Sequence, residues 1–285
     1  MKKKILSPTD RFLVLGASGW FGQTFLRLVQ SEAQILATSS TKRDKFAAWN
    51  AESFRDYKPT VVVNFAFLTS EKVETEGIET FIATNELLTE QFLEASRFPT
   101  VRAALTVSSG AAVAFPLDMA TNPYGVLKKR EEEAALELVT ERRSVVVARA
   151  WSVSGPLVRR PRAYAFSDMV MQASEGRVLV SSDRPTYRRY ISAQDFLAVC
   201  LESSMMGRSG VIDSGGEFIE MLELAHLIAM RVNPAAIIER VTQVSDQPSI
   251  YASDGTSWMR ACHDLGFTHA ALDEQVDAVA RGILG

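Results

Sequence analysis

Cysteine and histidine are scarce in this chain. Cys200 and Cys262 are its two thiols, and His226, His263 and His269 its three imidazoles, in 285 residues. Two cysteines give no disulfide framework, and a reduced, cytoplasmic setting is the simplest expectation. The histidines lack paired spacing with cysteines or carboxylates, so no metal site is expected. An excess of one charge is missing too: a formal net charge of −3 does not give the basic footprint of a general nucleic-acid binder. No stretch approaches the roughly 20 apolar residues that span a bilayer, so no membrane segment is expected. Lys2-Lys3-Lys4 is followed by Ser7-Pro8-Thr9-Asp10 rather than by an apolar core, and reads as a solvated tail and not as a signal peptide. Internal repeats and low-complexity segments are absent.

What is present is alternation. Apolar runs at 12–15, 34–38, 60–66, 101–107 and 144–149 read as strands, and helical patterns cover 78–96 and 124–140. Continuous Val/Leu runs joined by helical crossovers imply an α/β fold, a parallel sheet covered on both faces and doubly wound by right-handed crossovers. Beyond Trp151 the texture changes. A basic, proline-bearing loop spans 154–162; helices are expected at 166–174, 195–203, 221–232 and 271–283, and short strands at 177–180 and 210–213. We therefore expect a nucleotide-binding domain over 1–150 and, over 151–285, mainly a small substrate lobe. One late strand, 210–213, would return to the sheet. Ligands of such sheets bind at the carboxyl edge of the strands.

The strand at 12–15 stops on Gly16-Ala17-Ser18-Gly19-Trp20-Phe21-Gly22 before a helical pattern begins. A strand that turns on glycines into a helix presents unpaired N–H groups and the positive end of the helix dipole, a site for a diphosphate. Gly16 permits the tight turn, Gly19 lets a phosphate approach the backbone, and Gly22 lets helix and strand pack closely. After the second strand comes Thr38-Ser39-Ser40-Thr41-Lys42-Arg43, with no carboxylate until Asp44. An acidic residue there would bind the ribose 2′-hydroxyl of NAD. Ser39, Ser40 and Arg43 suit the 2′-phosphate of NADP instead, with NAD as the other possibility.

The fourth strand ends in Thr106-Val107-Ser108-Ser109-Gly110, and Tyr124-Gly125-Val126-Leu127-Lys128 opens the next helix. Tyrosine and lysine at i and i+4 share a helical face. An ammonium beside a phenol favours the phenolate, so Tyr124 becomes a general acid or base near neutral pH with a serine hydroxyl holding a carbonyl. Glu131-Glu132-Glu133 reads as a solvated helix face.

Together these motifs resemble the extended short-chain dehydrogenase/reductases, Rossmann-type enzymes that act mostly on nucleotide-activated sugars, over nearly the whole chain. The resemblance implies a cofactor turn of Gly16, Ser18, Gly19, Trp20, Phe21 and Gly22, and further cofactor contacts at Phe65, Ala66, Phe67, Lys128 and Trp151. It implies catalytic roles for Tyr124 and Lys128, and for Ser109 with Ser108 as the alternate register. Asn85 is similar to the helical asparagine that supports the lysine through backbone and water. Ser152, in the segment after the fifth strand, and Arg188, in Arg188-Arg189-Tyr190-Ile191, are the implied contacts of the substrate's diphosphate. The segment between Ser109 and Tyr124 is shorter than the family's, Ser152 stands where many members carry asparagine, and Ala150 replaces a frequent aromatic.

Sugar 4,6-dehydratases of this family carry an acidic pair after the catalytic hydroxyl, where this chain has Gly110 and Ala111; dehydration is therefore not expected. The stretch 58–74 resembles dTDP-4-dehydrorhamnose reductases. The expected activity is NADPH-dependent reduction of a nucleotide-linked 4-keto-6-deoxy sugar. A C4 epimerase is the alternative within the family, and a non-catalytic NADP sensor or scaffold the alternative outside it. In resembling proteins the helices at 78–96 and 124–140 build a four-helix contact, which implies a homodimer.

Overall fold

The structure, a computed structural model, describes residues 7, 9–29, 33–39 and 46–285. It comprises two compact units, Met1–Ala150 with Leu197–Ile212, and Trp151–Phe196 with Asp213–Gly285. Up to Ala150 the chain runs β1 (Arg11–Leu15), α1 (Trp20–Val29), β2 (Gln34–Ala37), α2 (Ala51–Tyr57) and β3 (Val61–Asn64). It continues with α3 (Lys72–Glu76), α4 (Ile78–Ser96), β4 (Ala103–Ser109), α5 (Ala111–Ala114), α6 (Pro123–Leu136) and β5 (Ser144–Ala150). Next come β6 (Ser152–Ser154), α7 (Ala165–Ser174), β7 (Arg177–Val180), β8 (Thr186–Ser192), α8 (Ala193–Met205) and β9 (Gly210–Asp213). The chain closes with β10 (Glu217–Glu220), α9 (Met221–Val232), β11 (Ile237–Arg240), β12 (Ser249–Tyr251), α10 (Thr256–Leu265) and α11 (Leu272–Leu284).

The first unit is built on a six-stranded sheet of order β2-β1-β3-β4-β5-β9. β1 runs parallel to both β2 and β3, β3 to β4, and β4 to β5. The apolar runs are buried on both faces, as a covered parallel sheet requires. Leu13, Leu15, Val62, Ala104 and Val145 share one cluster with Phe92 and Ala95 of α4 and Ala135 of α6. On the neighbouring, oppositely directed positions, Phe12 meets Phe25 of α1 with ring centroids 5.8 Å apart. The buried positions of α4, Phe81, Asn85, Leu88, Phe92 and Ala95, recur at the three-and-four spacing of one helical stripe. Strand order reverses between β1 and β3, and the carboxyl edge beside such a reversal is where ligands of open α/β sheets bind.

Many expected bounds shift by one to two residues, β3 (60–66 expected) ends two early, and two larger or sharper shifts have a visible cause. The fourth strand begins at Ala103 rather than 101 because Val101 N–H closes a turn on Phe98 O at 3.0 Å. The sixth helix ends at Leu136 rather than 140. There the Thr140 hydroxyl accepts from Arg142 and Arg143 N–H at 3.3 and 3.1 Å, a local turn that competes with the helix.

In the second unit β8 pairs with β10, β12 and β6, while β11 pairs with β7. α7, α9 and α11 supply Phe166, Leu224 and Val276 to a core that also holds Val178 and Tyr190.

Candidate active site

The glycine turn is shaped by what each missing side chain spares. Gly16 has φ +70°, and a Cβ there would lie 2.4 Å from Ala66 N. A Cβ on Gly22 would lie 2.5 Å from Gly16 O. Protein packing alone therefore demands glycine at both. Gly19 is different: it is exposed, and its Cβ would meet only Gly16 O at 3.5 Å. Among the described residues none fills the room above Gly19, and the first turn of α1 carries no acidic residue. Open backbone donors without a competing carboxylate fit a dinucleotide diphosphate. Ser18 Oγ lies 2.6 Å from Ser39 Oγ, which ties the turn to the end of β2. Trp20 and Phe21 open α1 with ring centroids 5.4 Å apart. Ser40 and Arg43, the other expected NADP contacts, lie outside the described residues.

Beyond β3 the chain carries Phe65, Ala66 and Phe67 along the same edge. Phe65 packs on Phe25 at 5.4 Å, and Ala66 N–H donates to Asn64 Oδ1 at 3.0 Å. Asn85 is buried on α4; its Oδ1 accepts from Leu68 N–H at 2.7 Å and its Nδ2 donates to Leu68 O at 3.4 Å. Its grip is on the loop that carries Phe67. The Phe67 ring lies 3.6 Å from Lys128 Nζ and stands edge-on to Tyr124, centroids 5.7 Å apart. The loop that Asn85 holds thus sets an aromatic ring against the lysine.

Side chains at 124, 128, 131, 132 and 135 share one face of α6, and from Lys128 onward that face is buried. The solvated reading of Glu131-Glu132-Glu133 is therefore wrong for two of the three. Glu131 and Glu132 are each 1% exposed; only Glu133 faces water. Arg149 of β5 grips Glu132 through both oxygens, Nε to Oε1 at 2.8 Å and Nη2 to Oε2 at 2.6 Å. Lys128 Nζ donates to Glu131 Oε2 at 2.8 Å and to Val107 O at 2.7 Å. Burial pushes the Lys128 ammonium below its ordinary pKa, against the opposing pull of Glu131 and then Glu132. The signal for these carboxylates was available as helical spacing. Glu131 and Glu132 stand three and four residues beyond Lys128 and before the apolar Ala135.

The adjacent serines separate by strand alternation. Ser108 Oγ donates to Glu132 Oε1 at 2.6 Å, sealed within the network. Ser109 is half-buried, its Oγ accepting from Ala111 N–H at 3.2 Å with its own hydrogen uncommitted among the described residues. Asn122 closes the site's outer segment. Its Nδ2 donates to Ala111 O and Pro116 O at 3.2 and 3.3 Å, and its Oδ1 caps α6 at Gly125 N–H, 3.0 Å away.

Trp151, Ser152 and Arg188 belong to the second unit. Trp151 is held by its N–H to Ser214 Oγ at 2.9 Å and its indole to Asp213 Oδ1 at 2.7 Å. Ser152 pairs with Tyr190 across β6 and β8. Arg188 lies with its guanidinium 5.0 Å from the Tyr251 ring and lines a pocket of about 170 Å³ with Asp168, Gln172 and Thr186. Burial raises the neighbouring Tyr190 phenol to about 12, so Tyr190 stays a neutral core group.

The sequence profile described as the NAD dependent epimerase/dehydratase family matches residues 12–210. The chain belongs to that family. Membership makes it a nicotinamide-dependent enzyme of the epimerase and oxidoreductase group, with Rossmann-type architecture. Three solved family-like structures are similar in fold. A UDP-glucose 4-epimerase from Brucella ovis, in complex with NAD, has 18% identity and a TM-score of 0.75 over 96% of this chain and 98% of that one. RMD from Pseudomonas aeruginosa, complexed with NADPH, has 19% identity and a TM-score of 0.73 over 96% and 98%. A hypothetical dTDP-4-dehydrorhamnose reductase from Sulfolobus tokodaii has 20% identity and a TM-score of 0.71 over 92% and 98%. No curated protein matches the chain significantly. Among the described residues no helix is long and apolar enough to cross a membrane, and no cluster of three potential metal ligands occurs.

Proposed function

We propose that this family member is an NADPH-dependent ketoreductase acting on a nucleotide-linked 4-keto-6-deoxy sugar. The observation that carries the reading is a division of labour on the β4–α6 face. Ser108 and Glu132 are consumed by structure, while Ser109 keeps an uncommitted hydroxyl at the strand end and Tyr124 stands half-buried beside Phe67. Gly16, Ser18, Gly19, Trp20, Phe21 and Gly22 would hold the diphosphate half of the dinucleotide. Ser39, Ser40 and Arg43 would hold its 2′-phosphate, and Phe65, Ala66, Phe67, Lys128 and Trp151 the remainder. When bound, the dinucleotide supplies hydride to the carbonyl carbon. Ser109 Oγ orients the carbonyl by donating to its oxygen, and Tyr124 Oη delivers the proton that turns this oxygen into a hydroxyl. Asn85 fixes the Phe67 loop over Lys128.

Residues 1–150 serve as the dinucleotide domain and 151–285 mainly as the substrate lobe in this reading. Ser152 and Arg188 meet the substrate's diphosphate, for which a guanidinium is well suited. The protein works in the cytoplasm as a homodimer through α4 and α6, where Leu87 is 53% exposed.

The test is NADPH oxidation over a panel of nucleotide-linked 4-keto sugars, with Tyr124→Phe beside the native chain. Net oxidation lost in the variant is the expected result. Turnover retained by Tyr124→Phe overturns the mechanism. Inversion at C4 without net oxidation favours the epimerase, a reading supported by the likeness to the Brucella ovis enzyme. Tight NADPH binding without turnover favours a sensor.

A further inference from the structure

Lys128 is more confined than a lysine waiting for a ribose or a phenol needs to be. Its ammonium, 4% exposed, has three N–H bonds to place. One goes to Val107 O at 2.7 Å, one to Glu131 Oε2 at 2.8 Å, and the Phe67 ring face covers the remaining side at 3.6 Å. Glu131 is itself fully engaged. Its Oε1 accepts from Asn64 Nδ2 at 2.7 Å and from Thr106 Oγ1 at 2.5 Å. Asn64 in turn holds Ala66 N–H, the group against which Gly16 turns. A chain of buried hydrogen bonds therefore runs from the glycine turn's neighbour to the lysine, with Glu131 in the middle.

We propose that Glu131 is a positioning residue for Lys128. It keeps the lysine charged and anchored inside the first unit, and thereby sets the alkaline limit of the site. This rests on reading Lys128 as the cofactor's contact and Tyr124's neighbour. Desolvation of an ammonium favours its neutral form, and an adjacent carboxylate opposes that loss. Other charged groups do not substitute for Glu131. On α6, Glu132 is bound by Arg149 of β5 through both oxygens. The buried face of α4 carries no charged residue, and Glu86 meets Arg130 at the exposed side. α5 consists of alanines and one valine, and β4 contributes hydroxyls and the Val107 carbonyl.

The sign follows directly. With Glu131 neutralised, Lys128 loses its proton at lower pH, and any interaction that needs the ammonium fails earlier as pH rises. The first experiment uses the protein without cofactor, carrying ¹³C-labelled lysine. The Cε resonance that Lys128→Met removes is followed against pH in the native chain, in Glu131→Gln and in Thr106→Val. Glu131→Gln is expected to move its midpoint down by at least about one pH unit, tenfold in proton affinity. Thr106→Val, which removes a hydrogen bond but no charge, leaves it near the native value. An unchanged midpoint in Glu131→Gln overturns the proposal. The second experiment titrates NADPH by fluorescence at pH 7 and pH 9. The native chain is expected to keep its affinity, while Glu131→Gln loses at least about tenfold between the two. A loss of equal size at both pH values marks a merely structural role and also overturns the proposal. Should Glu131→Gln fail to fold, Glu131→Asp decides: a midpoint lowered by its shorter reach supports the positioning role, and an unchanged one refutes it. If Lys128→Met binds NADPH like the native chain, the cofactor reading fails, and the resonance still decides the role of Glu131.

Discussion

Around the glycine turn, the local structure depends on atoms that are missing; across β4 and α6 it depends on charge sealed from water. At Gly16 and Gly22 an added Cβ strikes backbone within 2.5 Å. The constraint there is steric, local and independent of pH. On the other side two carboxylates, a lysine and an arginine are enclosed with their hydrogen-bond partners, and each charge is tolerated only while its partner stays. The first region fails by collision. The second fails by leaving a charge unanswered, which in a protein interior costs far more than a lost surface pair.

The comparison can be broken from either side. The largest effect is expected for Gly16→Ala, where positive φ and the contact with Ala66 combine: a loss of about 4 kcal/mol or more, seen as little folded protein at ordinary temperature. Glu132→Gln removes the carboxylate charge that Arg149 grips through both oxygens and is expected to cost about 3 to 5 kcal/mol in denaturant melts, whereas Glu133→Gln changes stability by less than about 0.5 kcal/mol. Equal effects at the two positions would mean that Glu132 is not sealed. Ser108→Ala removes a charge-assisted bond and should cost about 1.5 to 3 kcal/mol. Ser109→Ala should leave melting almost unchanged and lower kcat about a hundredfold; the opposite split would exchange the roles of the two serines. The smallest change in stability belongs to Gly19→Ala, within about 0.5 kcal/mol of native by melting. Its NADPH affinity, read by fluorescence, should nonetheless fall at least about tenfold if, as proposed, the diphosphate approaches over Gly19.

That asymmetry also explains what could be read in advance. A glycine is informative as a letter, because few other reasons place three of them across the junction of a strand and a helix. The apolar runs of β1, β3 and β5 were equally plain, since burial on both faces gives each three or four consecutive apolar residues. Glu131 and Glu132 were illegible as single letters, because a buried carboxylate and a solvated one are spelled alike. Only their spacing from Lys128 and Ala135 on α6 separates them. Ser108 and Ser109 likewise became distinguishable once strand alternation faced one toward Glu132. In the second unit β10, β11 and β12, of three or four residues each, are too short for periodicity to declare them. Their place depends on pairing with β8 and β7.

Asn122 has a consequence for remodelling this enzyme. By tying Ala111 and Pro116 to the start of α6, it makes the outer segment and the tyrosine-bearing helix a single piece. A Cβ on Gly125 would sit 2.4 Å from Ala111 O, so the seam between them has no slack. Inserted residues are therefore tolerable at one place, between the exposed Leu117 and Asp118, whose carbonyl and side chain begin the turn into Asn122. A longer loop grafted at that joint would reshape the outer wall while the knot beneath it, and the aim of Tyr124, stay as they are.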